Sequence, residues 1–208
     1  MLLSVKSLLD GMAGITYLTD PDGQIVDVGR ENWNAFARAN GAPELINGGS
    51  VIGHNVLDFV VGDDVRDSYR RCFEAISGDR LDYIRLLSRC DSPGVRRKLW
   101  FTVRPVRSAS SLQAMLVQIL VICEELRPPI ELFDFATLRA AQSANARLPF
   151  LGMCSYCQDV RFPAGSIDGD GEWMSAEGYY RRGGNAKVRI SHTMCPTCFE
   201  LDGQLLPH

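Results

Sequence analysis

The 208-residue chain has no apolar run long enough to cross a membrane. Its longest, residues 114–123, is interrupted by Gln118 and reaches half of the roughly 20 residues a spanning helix needs. The first 14 residues start apolar, but Lys6 and Asp10 break them and no small-residue cleavage site follows, so no secretory signal is expected. Charge of one sign is also missing: 22 Lys and Arg stand against 25 Asp and Glu, a formal net charge of −3. That argues against general affinity for nucleic acid or an anionic membrane surface. Histidine is scarce, with three in all, and no phosphoacceptor-type histidine segment occurs. A glycine-rich ATP loop and a G-x-S-x-G elbow are absent too, so no catalytic constellation is visible and the expectation is a non-enzyme.

Cysteine is what the chain does have. Of seven, four fall into two identical spacings, Cys154-Ser-Tyr-Cys157 and Cys195-Pro-Thr-Cys198, separated by 37 residues. Two such pairs, each on a tight turn, place four thiolates where a tetrahedral metal needs them. The separation exceeds that of a compact finger, so a small folded module must lie between the pairs. Zinc suits a closed thiolate site, and iron–sulfur clusters use the same ligands, so spacing leaves both open. His192, three residues before Cys195, is the alternative fourth ligand; with the cysteines already completing a tetrahedron, a neighbouring or surface imidazole is the simpler role. An odd cysteine count with four metal-ligand candidates indicates a reducing, cytoplasmic compartment.

Pattern divides the rest. Leu2, Val5, Leu8, Leu9 and Met12 recur at helical spacing, and two β-branched runs around Asp20-Pro-Asp-Gly23 predict a hairpin over residues 15–28. Trp33, Phe36, Ala37 and Asn40 share a helical face with Gly41 as the stop, and residues 60–77 predict a longer helix striped by Val65, Tyr69, Cys72, Phe73 and Ile76. Period-two patterns over 81–87, 97–106 and 112–123 predict three antiparallel strands, the last central because both its faces are apolar. With Leu99, Phe101 and Val103 facing the core, Trp100 falls on the outer face, where the N-terminal helix, of the same chain or a second one, is its natural cover. Pro128 and Pro129 end the sheet, and an alanine-rich pattern over 130–147 predicts a semi-rigid connector helix.

Two strands, short helices, then three antiparallel strands is the order of a PAS domain. The stretch ITYLTDPDGQIVDV at residues 15–28 resembles the opening hairpin of PAS sensors. VIGHNVLDFV at 51–60 resembles the segment leading into their long helix, and RCDSP at 89–93 with Arg96 and Arg97 resembles a turn in a bacterial subset. The resemblance covers about residues 12–125. It implies an α+β fold, a five-stranded antiparallel sheet with flanking helices whose concave face often holds a small ligand. The tail, with CSYC, Trp173, Tyr179, Tyr180 and SHTMCPTC, resembles a cysteine-paired, zinc-ribbon-like segment found beside PAS and receiver domains in bacterial signalling proteins. The expected division is 1–127 for the PAS domain with its N-terminal helix, 128–147 for the connector and 148–208 for the metal-stabilised module.

Candidate sites follow. Cys154, Cys157, Cys195 and Cys198 form the metal set; Trp33, Phe36, Tyr69 and Phe73 are the candidate PAS pocket, although aromatics at helical spacing are more often core. Cys72 and Cys123 read as small core hydrophobes. Cys90, beside Arg89, Arg96 and Arg97, could favour a thiolate, but a turn cysteine without function is the simpler reading. His54 is a poor haem ligand, since the long helix carries no histidine, and no flavin-photoreceptor Asn-Cys-Arg motif occurs. Residues 139–198 hold seven Lys and Arg against five Asp and Glu, too even for phosphate neutralisation. The function expected is a cytoplasmic sensory module coupling a PAS domain to a structural zinc module that contacts a signalling protein, as a homodimer through the PAS domain or N-terminal helix. The alternatives are a redox sensor at the four cysteines, with labile zinc or iron–sulfur, and a PAS-regulated zinc-ribbon nucleic-acid binder. The PAS ligand is not named by the sequence.

Overall fold

The computed structural model describes residues 4–40, 42–109, 111–145, 147–166 and 171–205, less the side chains of 135, 139, 141, 142 and 205. Leu2 and Gly41, expected to belong to the first helix and to stop the second, lie outside the described residues.

The chain divides into two compact units. The first comprises Met1–Val60, Arg66–Leu87 and Leu99–Ile122; the second comprises Val61–Val65, Ser88–Lys98 and Cys123–His208. This differs from the division expected at residues 127 and 147. The first turn of one helix and the tip of one hairpin belong with the cysteine-rich unit.

In the first unit, α1 (Val5–Asp10) precedes a hairpin of β1 (Ile15–Thr19) and β2 (Ile25–Val28). Asp20 shapes its turn: the Asp20 carboxylate accepts from the backbone N–H of Asp22 at 3.0 Å and of Gln24 at 2.8 Å. Gly23 takes a φ of 87° there, a conformation that costs glycine nothing. After α2 (Arg30–Ala39) comes α3 (Asp63–Ser77), then β3 (Ile84–Arg89), β4 (Val95–Ser108) and β5 (Ser111–Leu126). The strands form an antiparallel sheet in the order β2-β1-β5-β4-β3, with β5 central as expected. This sheet with its flanking helices is a PAS-like fold.

Pairing of Tyr17 with Val28 and with Val117 aligns their side chains on the core face. Val28, Ile76, Val103, Met115 and Val117 are fully buried, each side chain contributing about 1.5–3 kcal/mol by leaving water. Leu99, Phe101 and Val103 do face the core, leaving Trp100 on the other side. Within the chain, the N-terminal helix lies elsewhere: α1 packs on α2 and β2 through buried Leu9, and the Thr16 hydroxyl donates to the Leu9 carbonyl at 3.2 Å. Trp100 is half-buried, with the Arg85 guanidinium 5.7 Å from its ring centroid.

The second unit has its own sheet, from β6 (Phe150–Cys154), β7 (Val160–Phe162), β8 (Glu172–Met174) and β9 (Arg189–Thr193), ordered β8-β7-β6-β9. Helices α4 (Phe135–Ala144), α5 (Ala176–Arg181) and α6 (Pro196–Leu205) complete it. The connector departs from expectation. In place of a spacer over 130–147 there is a short 3-10 turn, Glu131–Phe133, and then ten residues of α4. Ile130, Leu132 and Phe133 sink into one cluster with Leu151, Met153, Val160 and Tyr179, so the segment is part of this unit's core. Burial of three large apolar side chains outweighs the helix propensity of the alanines that follow. Among the described residues no helix is long and apolar enough to cross a membrane.

Candidate metal centre

Strand pairing brings the two cysteine pairs together. β6 and β9 run parallel in a register that sets Cys154 beside Thr193, so both strands deliver their C-terminal ends to one place. Each then continues into a Cys-x-x-Cys. The first pair sits on a tight turn, as expected: Cys154 N–H donates to the Asp159 carbonyl at 2.8 Å, and Gln158 N–H to the Cys154 carbonyl at 2.9 Å. The second pair is not on a turn between strands. Cys195 precedes Pro196, the first residue of α6, and Cys198 lies in that helix's first turn. Proline is suited to this position because its fixed φ starts the helix and its missing N–H would have had no partner. The Cys195 sulfur caps the helix, accepting from Cys198 N–H at 3.5 Å where a serine or aspartate oxygen would normally do so.

The four Sγ atoms all lie within 4.8 Å of one another, and those of Cys157 and Cys195 are 3.7 Å apart. Zinc–sulfur bonds of about 2.3 Å in a tetrahedron give an edge of about 3.8 Å. The four cysteines therefore fit a closed tetrahedral ion. The protein balances part of the thiolate charge with oriented donors: Cys195 N–H points to the Cys154 sulfur at 3.4 Å, and the α6 N-terminus faces the cluster. Hydrogen bonds from the Cys157 and Cys198 thiols push Cys154 down, and the same sharing pushes Cys157 and Cys198 up. A divalent cation bound by the four sulfurs would displace their protons. His192 is not a member of the cluster, and burial pushes its imidazole pKa down.

A buried charge network backs the first pair. Asp91 has a side chain with 0% exposure; it accepts from Arg97 N–H at 3.0 Å and pairs with Arg127 at 2.9 Å and with Arg89. Arg89 N–H donates to the Tyr156 carbonyl at 2.7 Å and its guanidinium to the Cys157 carbonyl at 3.0 Å. Asp91 N–H donates to the Gln158 side chain at 2.8 Å. Gln158 has a φ of 58°, where glycine would be less strained, but glycine could not supply that acceptor. Arg127 and Arg96 converge on Glu177, at 3.2 and 2.6 Å. Cys90, in the same turn, is no thiolate: burial pushes its pKa up against the opposing effect of Arg97.

Of the candidate pocket residues, Trp33 stands edge-on to Tyr17 at 6.2 Å and donates through its indole N–H to the Leu45 carbonyl at 2.6 Å. Tyr69 meets Phe101 at 5.1 Å. Phe36 is half-buried, and Phe73, 8% exposed, lines a 280 Å³ cavity with Gly23, Asn55 and Arg70. Burial drives the Tyr17 and Tyr69 phenols well above their ordinary pKa.

No protein-family description matches the chain, and no curated protein matches it. Among solved structures it is similar to the PAS domain of BvgS from Bordetella pertussis, over 67% of this chain and 95% of that one, at 17% identity and a TM-score of 0.44. VqmA from Vibrio cholerae, studied as a dimer in the absence of target DNA, is similar over 59% of this chain and 52% of its own, at 16% identity and a TM-score of 0.41. A domain of an HTR-like protein from Haloarcula marismortui follows, over 52% and 97%, at 14% identity and a TM-score of 0.32. The fold assignment rests on the strand order and flanking helices.

Proposed function

We propose that the chain is a non-enzymatic, cytoplasmic sensory module in which a PAS domain is joined to a structural zinc module that contacts a signalling protein. The observation that carries the metal half is the convergence of four sulfurs from two distant segments within 4.8 Å, matching a zinc tetrahedron. The sensory half draws on the PAS-like fold, and a fold alone does not specify a ligand. The aromatic set of Trp33, Phe36, Tyr69 and Phe73 is the region in which a small molecule would act. Exposed Leu87, Val106 and Ile122 on strands of the PAS-like sheet support self-association as a homodimer. The test is metal analysis of the purified full chain, where one zinc per chain and no colour are expected. Brown protein containing iron and sulfide would replace the zinc reading.

A second reading is favoured by one observation: Cys157 and Cys198 are only part-buried, whereas Cys154 and Cys195 are buried. Two of the four thiolates would then be open to oxidants, as a redox sensor with a labile metal requires. Zinc retained through stoichiometric peroxide treatment would dismiss it. A nucleic-acid partner would show itself as binding that weakens steeply with salt.

A further inference from the structure

The metal site is braced by segments far outside the cysteine-rich stretch. Behind the second pair stands the first turn of α3. The Asp64 carboxylate accepts from the Thr193 hydroxyl at 2.8 Å and from Met194 N–H at 2.7 Å, one residue before the ligand Cys195. Its other oxygen accepts from Val65 N–H at 2.9 Å, so the same side chain closes the helix start and holds the knuckle. Gly62 approaches the His192 carbonyl so closely that an added Cβ would lie 2.6 Å from that oxygen, and it holds a φ of 96°. Behind the first pair stands the β3–β4 turn, through Arg89, Asp91 and Gln158. Both braces bond to the backbone next to the ligands, where small displacements would pull sulfurs out of the tetrahedron. Neither brace is local: Asp64 and Met194 are 130 residues apart, and Arg89 and Cys157 are 68 apart. The two carriers, α3 and the strands β3 and β4, continue without a break into the first unit.

Resting on the metal reading above, we infer that Asp64 and the Arg89–Asp91 turn are positioning residues of the metal site, so that metal occupancy and ordering of the α3 first turn and the β3–β4 turn form one coupled equilibrium. Linkage makes the effect reciprocal: whatever loosens these braces weakens metal binding, and metal removal loosens them by the same free energy. Tyr69 and Phe73 lie further along the same α3, so its N-terminal anchorage is set by the metal while its body lies among the candidate pocket aromatics.

The experiment uses the full chain loaded with zinc. Metal content is measured first, because a protein that takes up no zinc would overturn the metal reading itself. Hydrogen exchange is then compared in zinc-loaded protein and after chelation. Amides at 62–66 and 88–98 should lose protection together with 154–158 and 193–198, while β1 and β2 keep theirs. Zinc-binding protein whose amides at 62–66 and 88–98 are unchanged by chelation would overturn the inference, whatever the variants do. Asp64→Asn, which keeps the shape and loses the charge, should weaken zinc about tenfold against a colorimetric chelator. Thr193→Val, which removes one of the two bonds from residues 193–194 to Asp64 and perturbs folding less, should weaken it about threefold. With cobalt in place of zinc, both variants should keep the four-thiolate absorption bands but release the metal faster. A general loss of stability would lower the melting point without that acceleration, and that result would also overturn the inference.

Discussion

Replacing Asp91 by alanine should be the most damaging single change in the second unit outside the cysteines. Its carboxylate is wholly buried and faces the Arg127 and Arg89 guanidinium groups, whose side chains are 8% and 16% exposed, together with the Arg97 backbone N–H. Taking away this buried anion leaves Arg89 and Arg127 without their shared carboxylate, Arg127 keeping only Glu177, and breaking a buried pair typically costs about 3–5 kcal/mol. Against a total domain stability of about 5–15 kcal/mol that is a large fraction. The assay is urea unfolding followed by zinc release, which reports on the second unit alone. With a slope of about 2 kcal/mol per molar urea, the release midpoint should fall by about 1.5–2.5 M. Asp91→Asn keeps an acceptor for Arg97 and should lose about 1.5–3 kcal/mol. Changing Asp91, Arg89 and Arg127 together to leucine and methionine should recover much of the loss, because an apolar replacement leaves no charge stranded. A midpoint shift under about 0.3 M for the alanine variant, under about 0.6 kcal/mol, would refute the reasoning.

Other outcomes are as specific. Burial alone would raise the Glu177 carboxyl, but its own backbone N–H and the Arg96 and Arg127 guanidinium groups win and hold it from an ordinary 4.5 down to about 2. A depressed carboxylate adds stability above its unfolded value, so the advantage of wild type over Glu177→Gln should shrink as pH falls from 4.5 towards about 2. A gap that widens with acid instead would show the sign to be wrong. Gly62→Ala combines a left-handed backbone with an approach of 2.6 Å to the His192 carbonyl, and should weaken zinc binding while leaving the β1–β2 hairpin protected in hydrogen exchange. Equal zinc affinity in the two proteins would dismiss that contact. Leu9→Ala removes the one buried side chain of α1 and should cost about 2–5 kcal/mol in thermal unfolding, whereas Leu8→Ala, at a site 58% exposed, should change little. Similar losses at both positions would mean that α1 packs differently.

Local signals made much of the first unit legible. The Asp20 turn, the aromatic face of α2 and the apolar stripe of α3 each depend on residues a few positions apart, and the central place of β5 followed from its two apolar faces. The cysteine spacing identified four candidate ligands for the same reason. What escaped was decided by distant partners. Nothing near Asp64 in sequence signals that its carboxylate meets Met194 N–H, 130 residues on. The turn holding Arg89 and Asp91 could be seen, but its acceptors on Tyr156 and Cys157 could not. The alanines after Ile130 suggested a long spacer, yet Leu132 and Phe133 were bound for a core assembled from β6, β7 and α5. Both cysteine pairs were expected on tight turns, yet Pro196 begins α6 and sets Cys198 in that helix's first turn.

The central claim is that four cysteines from two distant segments hold one zinc ion and that this ion orders the second unit. Zinc stoichiometry and amide spectra, measured together on the full chain and on Cys198→Ser, test it most directly. The account predicts one zinc per chain in the native protein, with little or none in the variant and collapse of the dispersed amide resonances of 150–198. Full zinc loading in the variant, or an ordered second unit in metal-free native protein, would contradict it.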